Sequence, residues 1–262
     1  SNARTRQPIT YMAKETKTTA VTTPAYDYSK AAVTGFENVN QQDLGIPFLT
    51  IVQKGSPQVD EAHPDHAAKR IAGVKVGDII NNVSNSVVWT RSAGPLQFIP
   101  CSFERLYVEW TPREKGGGIV KMHQNANIVL DCSRNEKGQD VLKNGNTIVT
   151  TAYFYGLALS DGEYSPAIIG LASAQLRKSR VWLNMMNGIK LDGPNGKYTP
   201  PMFSHAYALT TTPESNEKGN WYGWMIQLHG IVNDPATAQL AAETAREKAA
   251  GRQALPAPTS AF

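Results

Sequence analysis

Apolar and polar residues alternate along several short segments of the chain, and turn-forming residues separate these segments. The alternation over Pro95–Trp110 and Thr147–Leu159 predicts two long strands, and the Asn144-Gly145 pair before the second predicts a hairpin turn. Shorter strands are expected at Ile46–Gln53, Ala126–Cys132, Ser165–Ala172, Phe203–Thr212 and Asn220–Val232, and a bent strand or hairpin is expected at Val74–Trp89. The pattern therefore indicates a mainly β protein.

Two segments have helical periodicity instead. The first runs from Ala174 to about Met186, with Ser173 as the expected N-cap, and an Asn-Gly pair ends it. The second is expected over Ala236–Ala250, after an Asp-Pro pair. Many short strands with one internal and one C-terminal helix predict an OB-like Greek-key barrel or a small sandwich with insertions. Barrels of this kind commonly bind oligonucleotides on a strand face.

The 262 residues divide by composition into three parts. Residues 1–30 are rich in Thr, Lys and Ala without periodicity, so a disordered N-terminal arm is expected, and its first three residues are typical of a tag remnant. A single β-rich domain is expected over residues 31–250. Residues 251–262 contain two prolines and are expected to form a flexible C-terminal tail.

Charge and cysteine content limit the classes of protein that fit. The formal net charge is +4 and the sequence pI about 9.0, which permits a polyanionic partner without requiring one. Two cysteines, Cys101 and Cys132, do not make a disulfide framework. No signal peptide and no membrane-spanning apolar run are visible, so we expect a protein of the cytoplasm that does not act at a membrane.

The most informative segment is Phe98–His123, where a predicted strand leads into a basic, glycine-rich loop. Strict alternation predicts that one face of the strand carries Cys101, Phe103, Arg105 and Tyr107. The opposite face is apolar, with Leu106, Val108 and Trp110. Aromatic rings for stacking beside cations for phosphate are typical of proteins that bind single-stranded nucleic acid. In the alternative interpretation this face packs under the terminal helix, and Arg105 reaches past it to water.

The loop after this strand has four basic or imidazole side chains against the single acid Glu114. They are Arg113, Lys115, Lys121 and His123. Three consecutive glycines between them permit close approach of the backbone to a ligand. The alternative is a solvated hairpin tip without a ligand. The loop is not a phosphate-binding P-loop, because neither Lys-Ser/Thr nor a helix follows the glycines.

Two further groups of residues are candidates for the same interface. The internal helix carries Arg177, Lys178 and Arg180, with Arg177 and Arg180 expected to share a face. Tyr153 and Tyr155 share one face of their predicted strand. They are better candidates for outward-facing rings than Trp221 and Trp224, for which core packing is expected. The alternatives are a solvated helix face for the cations and core packing for the tyrosines.

Motifs of enzymes and metal sites are absent from the sequence. GPNGKY around Lys197 lacks the residues of a Walker A loop, and neither HExxH nor the zinc-deaminase pair of motifs occurs. The His and Cys residues do not have zinc-ligand spacing, and clustered carboxylates for metal-dependent chemistry are not apparent. We therefore expect a protein that is not an enzyme and needs no cofactor or metal.

Four segments resemble a group of tailed-phage and prophage proteins: GIPFLTIVQKGSPQVD, VGDIINNV, IPCSFERLYVEWTPREKGGG and ESNEKGNWYGW. The similarity extends over most of residues 36–232. It implies a single-stranded-DNA-binding protein of phage replication and recombination. Many replication proteins of this class end in an acidic tail with a terminal aromatic residue. This chain ends in LPAPTSAF, which has Phe262 without the acids, so the recruiting function of such a tail does not carry over.

The sequence thus predicts a phage protein that binds single-stranded DNA, or RNA, and works with replication or recombination proteins, alone or as a homo-oligomer. The rings expected to stack bases are Phe103, Tyr107, Tyr153 and Tyr155. The cations expected to contact phosphate are Arg105, Arg113, Lys115, Lys121, Arg177, Lys178 and Arg180. The alternatives are a virion or assembly protein whose β core makes protein contacts, and a phage enzyme or inhibitor of a host factor.

Overall fold

The structure is a computed structural model that describes residues 45–251 except Gly116 and Lys218, and only the backbone of Arg113. The strands are β1 Leu49–Ile51, β2 Ile79–Asn81, β3 Ser86–Trp89, β4 Leu96–Thr111, β5 Gly118–His123, β6 Ser133–Arg134, β7 Asp140–Val141, β8 Thr147–Ser160, β9 Glu163–Ala172, β10 Leu191–Gly193, β11 Gly196–Tyr198, β12 His205–Asn216 and β13 Gly219–Ile231. The α-helices are α1 His66–Lys69, α2 Leu176–Gly188 and α3 Pro235–Ala249. Short 3-10 helices cover Arg113–Lys115, Ala126–Asp131, Ser173–Gln175 and Met202–Ser204. The predicted N-terminal arm and residues 252–262 of the predicted tail lie outside the described residues.

An antiparallel eight-stranded sheet forms the centre of the fold. Its main path runs β13-β12-β4-β8-β7-β6, while β5 pairs with β4 and β9 pairs with β8. The sheet curls into a half-barrel, which confirms the predicted mainly β, OB-like class with one internal and one C-terminal helix. A smaller sheet, β1-β2-β3, shares the largest apolar cluster with α2.

Most predicted elements are present, and two local predictions are wrong. The segment predicted as a strand over Ala126–Cys132 forms the 3-10 helix Ala126–Asp131. Asn125 starts this turn, because its side-chain oxygen accepts a hydrogen bond from the Asn127 N–H at 2.9 Å. Ser173 is not an N-cap: it has a φ of +50° and lies inside the 3-10 turn before α2. For the first segment, a short run of apolar residues did not distinguish a strand from a helical turn.

Two helices cover opposite faces of the sheet. On one side, which we call the α2 face, Trp182 of α2 stacks on Phe154 with ring centroids 4.2 Å apart and contacts Tyr207 at 5.5 Å. On the other side, the α3 face, Ala241 of α3 packs with Ile99 and other residues of a separate cluster. The sheet is therefore the middle layer, and each long strand contributes to both cores.

Side chains close part of the outer edge of β13. The Gln53 amide accepts from the Tyr222 N–H at 2.9 Å and donates to the Tyr222 carbonyl at 2.8 Å. At the next outward position, the Gln175 side-chain oxygen accepts from the Trp224 N–H at 2.9 Å, and Lys178 Nζ donates to the Trp224 carbonyl at 2.6 Å. Side chains thus satisfy backbone groups that would otherwise face solvent at a sheet edge.

Candidate nucleic-acid interface

A β-bulge in β4 decides which of its side chains face α2. The pairing with β8 shifts register between Pro100 and Ser102, which adds one residue to β4. After the bulge, Phe103 lies opposite Phe154 and Tyr107 opposite Thr150, on the α2 face. Phe103, Arg105 and Tyr107 therefore share a face, as predicted. Cys101 does not share it, because it packs beside Ile99 in the cluster under α3.

The other apolar face of β4 is also as predicted. Leu106 and Val108 are buried in one cluster, and Trp110 packs against it. This cluster lies on the same side of the sheet as α3, so the terminal helix does not cover Arg105. The alternative in which the face with Phe103, Arg105 and Tyr107 packs under the terminal helix is therefore not observed.

Tyr107 lines a depression on the α2 face together with two guanidiniums. Arg105 comes from β4, and Arg180 comes from α2, one turn after Leu176. The depression has a volume of about 350 Å³. Its lining residues are Arg105, Tyr107, Ala126, Val129, Thr150, Leu176 and Arg180. The structure thus brings together cations that the sequence placed on two separate elements.

The two guanidiniums in this depression are not neutralised by acids. Both side chains are exposed, and among the described residues neither has a carboxylate within ion-pair distance. Tyr107 is half-buried, so its ring is held in place while part of it remains accessible. A partly accessible ring beside two cations that acids do not neutralise has the chemistry to hold a base and the phosphates next to it.

Phe103 is placed differently from Tyr107, although both are on the α2 face. Its ring lies 5.1 Å from the ring of Phe154, and it packs against the largest apolar cluster. The Arg105 guanidinium lies over the remaining side at 5.9 Å. Phe103 therefore supports Arg105 from the core, and most of its surface is already in contact with protein.

The burial of Tyr153 and Tyr155 corrects the expectation that these rings face outward. Tyr153 is 4% exposed and packs edge-on against Phe48 at 5.8 Å. Tyr155 is 1% exposed, and Lys248 Nζ of α3 lies 3.9 Å from its ring centroid. Burial raises the pKa of Tyr153 to about 12 and raises the pKa of Tyr155 further. Buried rings are not available to stack on bases.

The three cations of α2 lie in three different environments. Arg180 lines the depression with Tyr107, whereas Arg177 is exposed at a groove between α2 and β12–β13. The two arginines are three positions apart on the same helix, but they line different depressions. Lys178 forms an ion pair with Glu214, so its charge is already balanced within the protein. That pair corrects the expectation that Lys178 is free to contact phosphate.

Glu214 holds the start of α2 against the β12–β13 hairpin. Its carboxylate accepts from Gln175 Nε2 at 2.7 Å and from Trp221 Nε1 at 2.8 Å, in addition to the pair with Lys178. Burial acts to raise the pKa of Glu214, but the hydrogen bonds from these three donors outweigh it and lower the pKa. The network fixes the helix that carries Arg180.

The basic loop joins β4 to β5. The Lys115 and Gly117 N–H groups donate to the Pro112 carbonyl at 2.9 and 3.1 Å. In the β4–β5 pairing His123 lies opposite Tyr107, and Lys121 lies opposite Glu109. Directly paired residues of antiparallel strands share a face, so Lys121 extends from the same face as Tyr107. Lys115 and Lys121 are both exposed.

Glu109 is a residue of this region that the sequence analysis did not identify. Its carboxylate accepts from Asn146 Nδ2 at 2.6 Å and from Asn144 Nδ2 at 3.3 Å, and it lies 2.8 Å from His123 Nε2. The hydrogen bond from Asn146, supported by those from His123 and Asn144, lowers the pKa of Glu109 against the opposing effect of burial. The two asparagines are more than thirty positions away in sequence, so alternation gave no signal of this contact.

Within residues 45–251, except Gly116 and Lys218, no group of three His, Cys, Asp or Glu side chains is arranged to hold a metal ion. In the same part of the chain, no helix is long and apolar enough to cross a membrane.

Comparison with known proteins identifies the family. Residues 14–254 match the family described as Pam3 phage gp34-like protein. No curated protein and no solved structure matches the chain. Since the family match covers most of the chain, the protein belongs to the Pam3 phage gp34-like family and is a bacteriophage protein.

Proposed function

We propose that this phage protein binds single-stranded DNA during replication or recombination in the host cytoplasm, without catalysis. The observation that carries the proposal is the depression that Tyr107 lines together with Arg105 and Arg180, two guanidiniums without a carboxylate partner among the described residues. A ring that is accessible from one side stacks on any base, while guanidiniums contact the phosphates next to it. The groups needed for sequence-independent binding of a single strand are thus combined at one site.

The geometry favours a single strand over a duplex. Stacking on Tyr107 requires an unpaired, splayed base, because the faces of bases inside a duplex are already stacked on each other. The depression is also a local site of about 350 Å³, flanked by α2 and the 3-10 helix that contains Ala126 and Val129. It does not present a protruding helix or ribbon of the kind that enters a major groove.

The proposal is tested by fluorescence anisotropy of a labelled oligo-dT at several salt concentrations, beside a duplex of equal length. We expect dT to bind more tightly than the duplex, with an affinity that falls steeply as salt rises. Tyr107→Ala should weaken binding about tenfold, since stacking contributes roughly 1–3 kcal/mol per base. Arg180→Ala should weaken binding and make the salt slope shallower by about one.

Arg246→Ala is the matched control for the arginine variant. Arg246 is exposed on α3, which covers the opposite face of the sheet, and its contact with Glu243 is long, at 3.9 Å. The variant removes the same charge away from the depression, so its affinity for dT should stay within about twofold of wild type. Equal losses in Arg180→Ala and Arg246→Ala would contradict a site at the depression, and no dT binding at low salt would refute the function.

A virion or assembly protein is the second candidate, and strand β13 favours it. This thirteen-residue strand lies at a sheet edge and contains no Lys, Arg, Asp or Glu. Three of its apolar side chains are exposed: Met225, Leu228 and Ile231. Association through these exposed apolar side chains should persist or strengthen at high salt, whereas DNA binding should weaken. Sedimentation of the protein alone across the same salt series distinguishes the two.

A further inference from the structure

Glu109 connects three separate parts of the chain beside the depression. It belongs to β4, His123 belongs to β5, and Asn144 and Asn146 belong to the turn that leads into β8. The Glu109 side chain is only 9% exposed and that of His123 only 17%. A largely buried carboxylate that accepts three hydrogen bonds fixes its donors strongly, because these bonds are charge-assisted and shielded from water.

The lysine of the β4–β5 hairpin lies close to the same turn. Gly145, with a φ of +88°, forms the tip between the two asparagines. Lys115 Nζ lies 3.9 Å from the position that a Cβ on Gly145 would occupy. The turn that Glu109 binds is therefore a neighbour of a cation of the basic hairpin.

The same contacts reach the depression directly. His123, which bonds to Glu109, is the residue paired with Tyr107, and Lys121 is the residue paired with Glu109. If β5 shifted on β4, it would move Lys121 and also His123, which lies beside Tyr107. The basic hairpin and the aromatic site are therefore mechanically linked through one carboxylate.

We infer that Glu109 is a positioning residue for nucleic-acid binding: it fixes the β4–β5 hairpin and the Asn144–Asn146 turn so that Lys121 and Lys115 continue the basic path that begins at Arg180, Arg105 and Tyr107. The strand would then run from the depression along β4 towards the hairpin. This inference rests on the proposed function. It assigns an essential role in binding a polyanion to an acidic residue.

The change in charge alone and the loss of positioning predict opposite effects of replacing Glu109 on DNA affinity. Glu109→Gln raises the formal net charge of +4 by one and removes a negative charge beside the proposed path, which by itself should tighten DNA binding. Positioning predicts weaker binding, because the Gln amide presents an NH₂ group where three donors need acceptors. The sign of the change in affinity therefore separates the two explanations.

The experiment compares Glu109→Gln with Glu163→Gln in the dT anisotropy assay. Glu163 is the exposed first residue of β9, paired with Ser160 at the end of β8, and its replacement by Gln makes the same change in charge. We expect Glu109→Gln to weaken binding about threefold or more, and Glu163→Gln to leave it unchanged or slightly tighter. Asn146→Ala, which removes only one donor, should weaken binding by a smaller factor and guards against misfolding of the first variant.

Hydrogen exchange gives a second readout that does not depend on DNA. Amides of Gly118–His123 should exchange faster in Glu109→Gln, while those of β12 and β13 stay protected. Unchanged exchange in β5 would overturn the inference, as would faster exchange with unchanged or tighter binding, since Glu109 would then be structural only. If wild-type protein fails to bind dT, the proposed function itself fails. If wild type binds and Glu109→Gln binds equally well, only the positioning role fails.

Discussion

The two halves of strand β4 show how one strand serves stability at one end and exposes charge at the other. Over Leu96–Phe103, the α2 face is covered by Trp182, and the rings pack on one another. Over Glu104–Thr111, α2 only borders the same face through Leu176 and Arg180, and Arg105 and Tyr107 remain accessible at the depression. Aromatic residues occur in both halves, so residue type alone does not indicate function. Coverage by α2 makes the difference.

The largest effect is expected from removing the ring that covers the first half. Trp182 is 1% exposed and contacts Phe98, Phe154 and Tyr207. Trp182→Ala should lower the free energy of unfolding by about 3–5 kcal/mol, as measured by denaturant titration. Arg180→Ala, two residues earlier on the same helix, should change it by less than about 0.5 kcal/mol. A comparable loss of unfolding free energy in both variants would contradict the difference in packing between the two halves of β4.

A smaller effect is expected at the carboxylate that anchors α2. Since the pKa of Glu214 is lowered in the folded protein, its stabilising effect is fully present above the ordinary pKa of an unfolded Glu. It is lost as the pH falls through the lower, folded value. Glu214→Gln should reduce the free energy of unfolding by about 1–3 kcal/mol at neutral pH and by progressively less in acid. Denaturant titrations from neutral to acidic pH measure how the free energies of unfolding of wild type and Glu214→Gln approach each other. Exposed Glu163→Gln is the control.

The smallest effect is expected from a conservative change at the open half. Tyr107→Phe keeps the ring and removes only the hydroxyl, so affinity for dT should stay within about twofold of wild type if stacking is the contribution of this residue. Tyr155→Phe provides the comparison in the covered region, because that hydroxyl is buried without a partner among the described residues. Its removal should leave DNA binding unchanged. A large loss of affinity in Tyr107→Phe would mean that the hydroxyl, and not the ring, makes the contact.

Local sequence signals predicted much of the sheet. Alternation located the long strands β4 and β8 and the β12–β13 hairpin, and Asp234 caps α3 by accepting from the Thr237 N–H at 2.8 Å. These features depend on residues that are close in sequence. The shared face of Phe103, Arg105 and Tyr107 was also predictable, because all three follow the bulge and alternate regularly after it.

The incorrect predictions depend on contacts between distant residues. Tyr155 is buried under Lys248 of α3, and Lys178 is neutralised by Glu214 on β12. Neither partner can be identified from the local pattern of a strand or helix. The same holds for Glu109, whose asparagine donors follow the next strands along the chain. Alternation separates the two faces of a strand but does not reveal which face another element covers.

The amides of Gln53 and Gln175 on the edge of β13 have a consequence for self-association. At high protein concentration, open strand edges of neighbouring molecules can pair and polymerise. Here the backbone groups of Tyr222 and Trp224 already have side-chain partners, so an incoming strand cannot align with the full length of β13. Two glutamines thereby act as terminators of sheet growth and limit fibril formation from the native state.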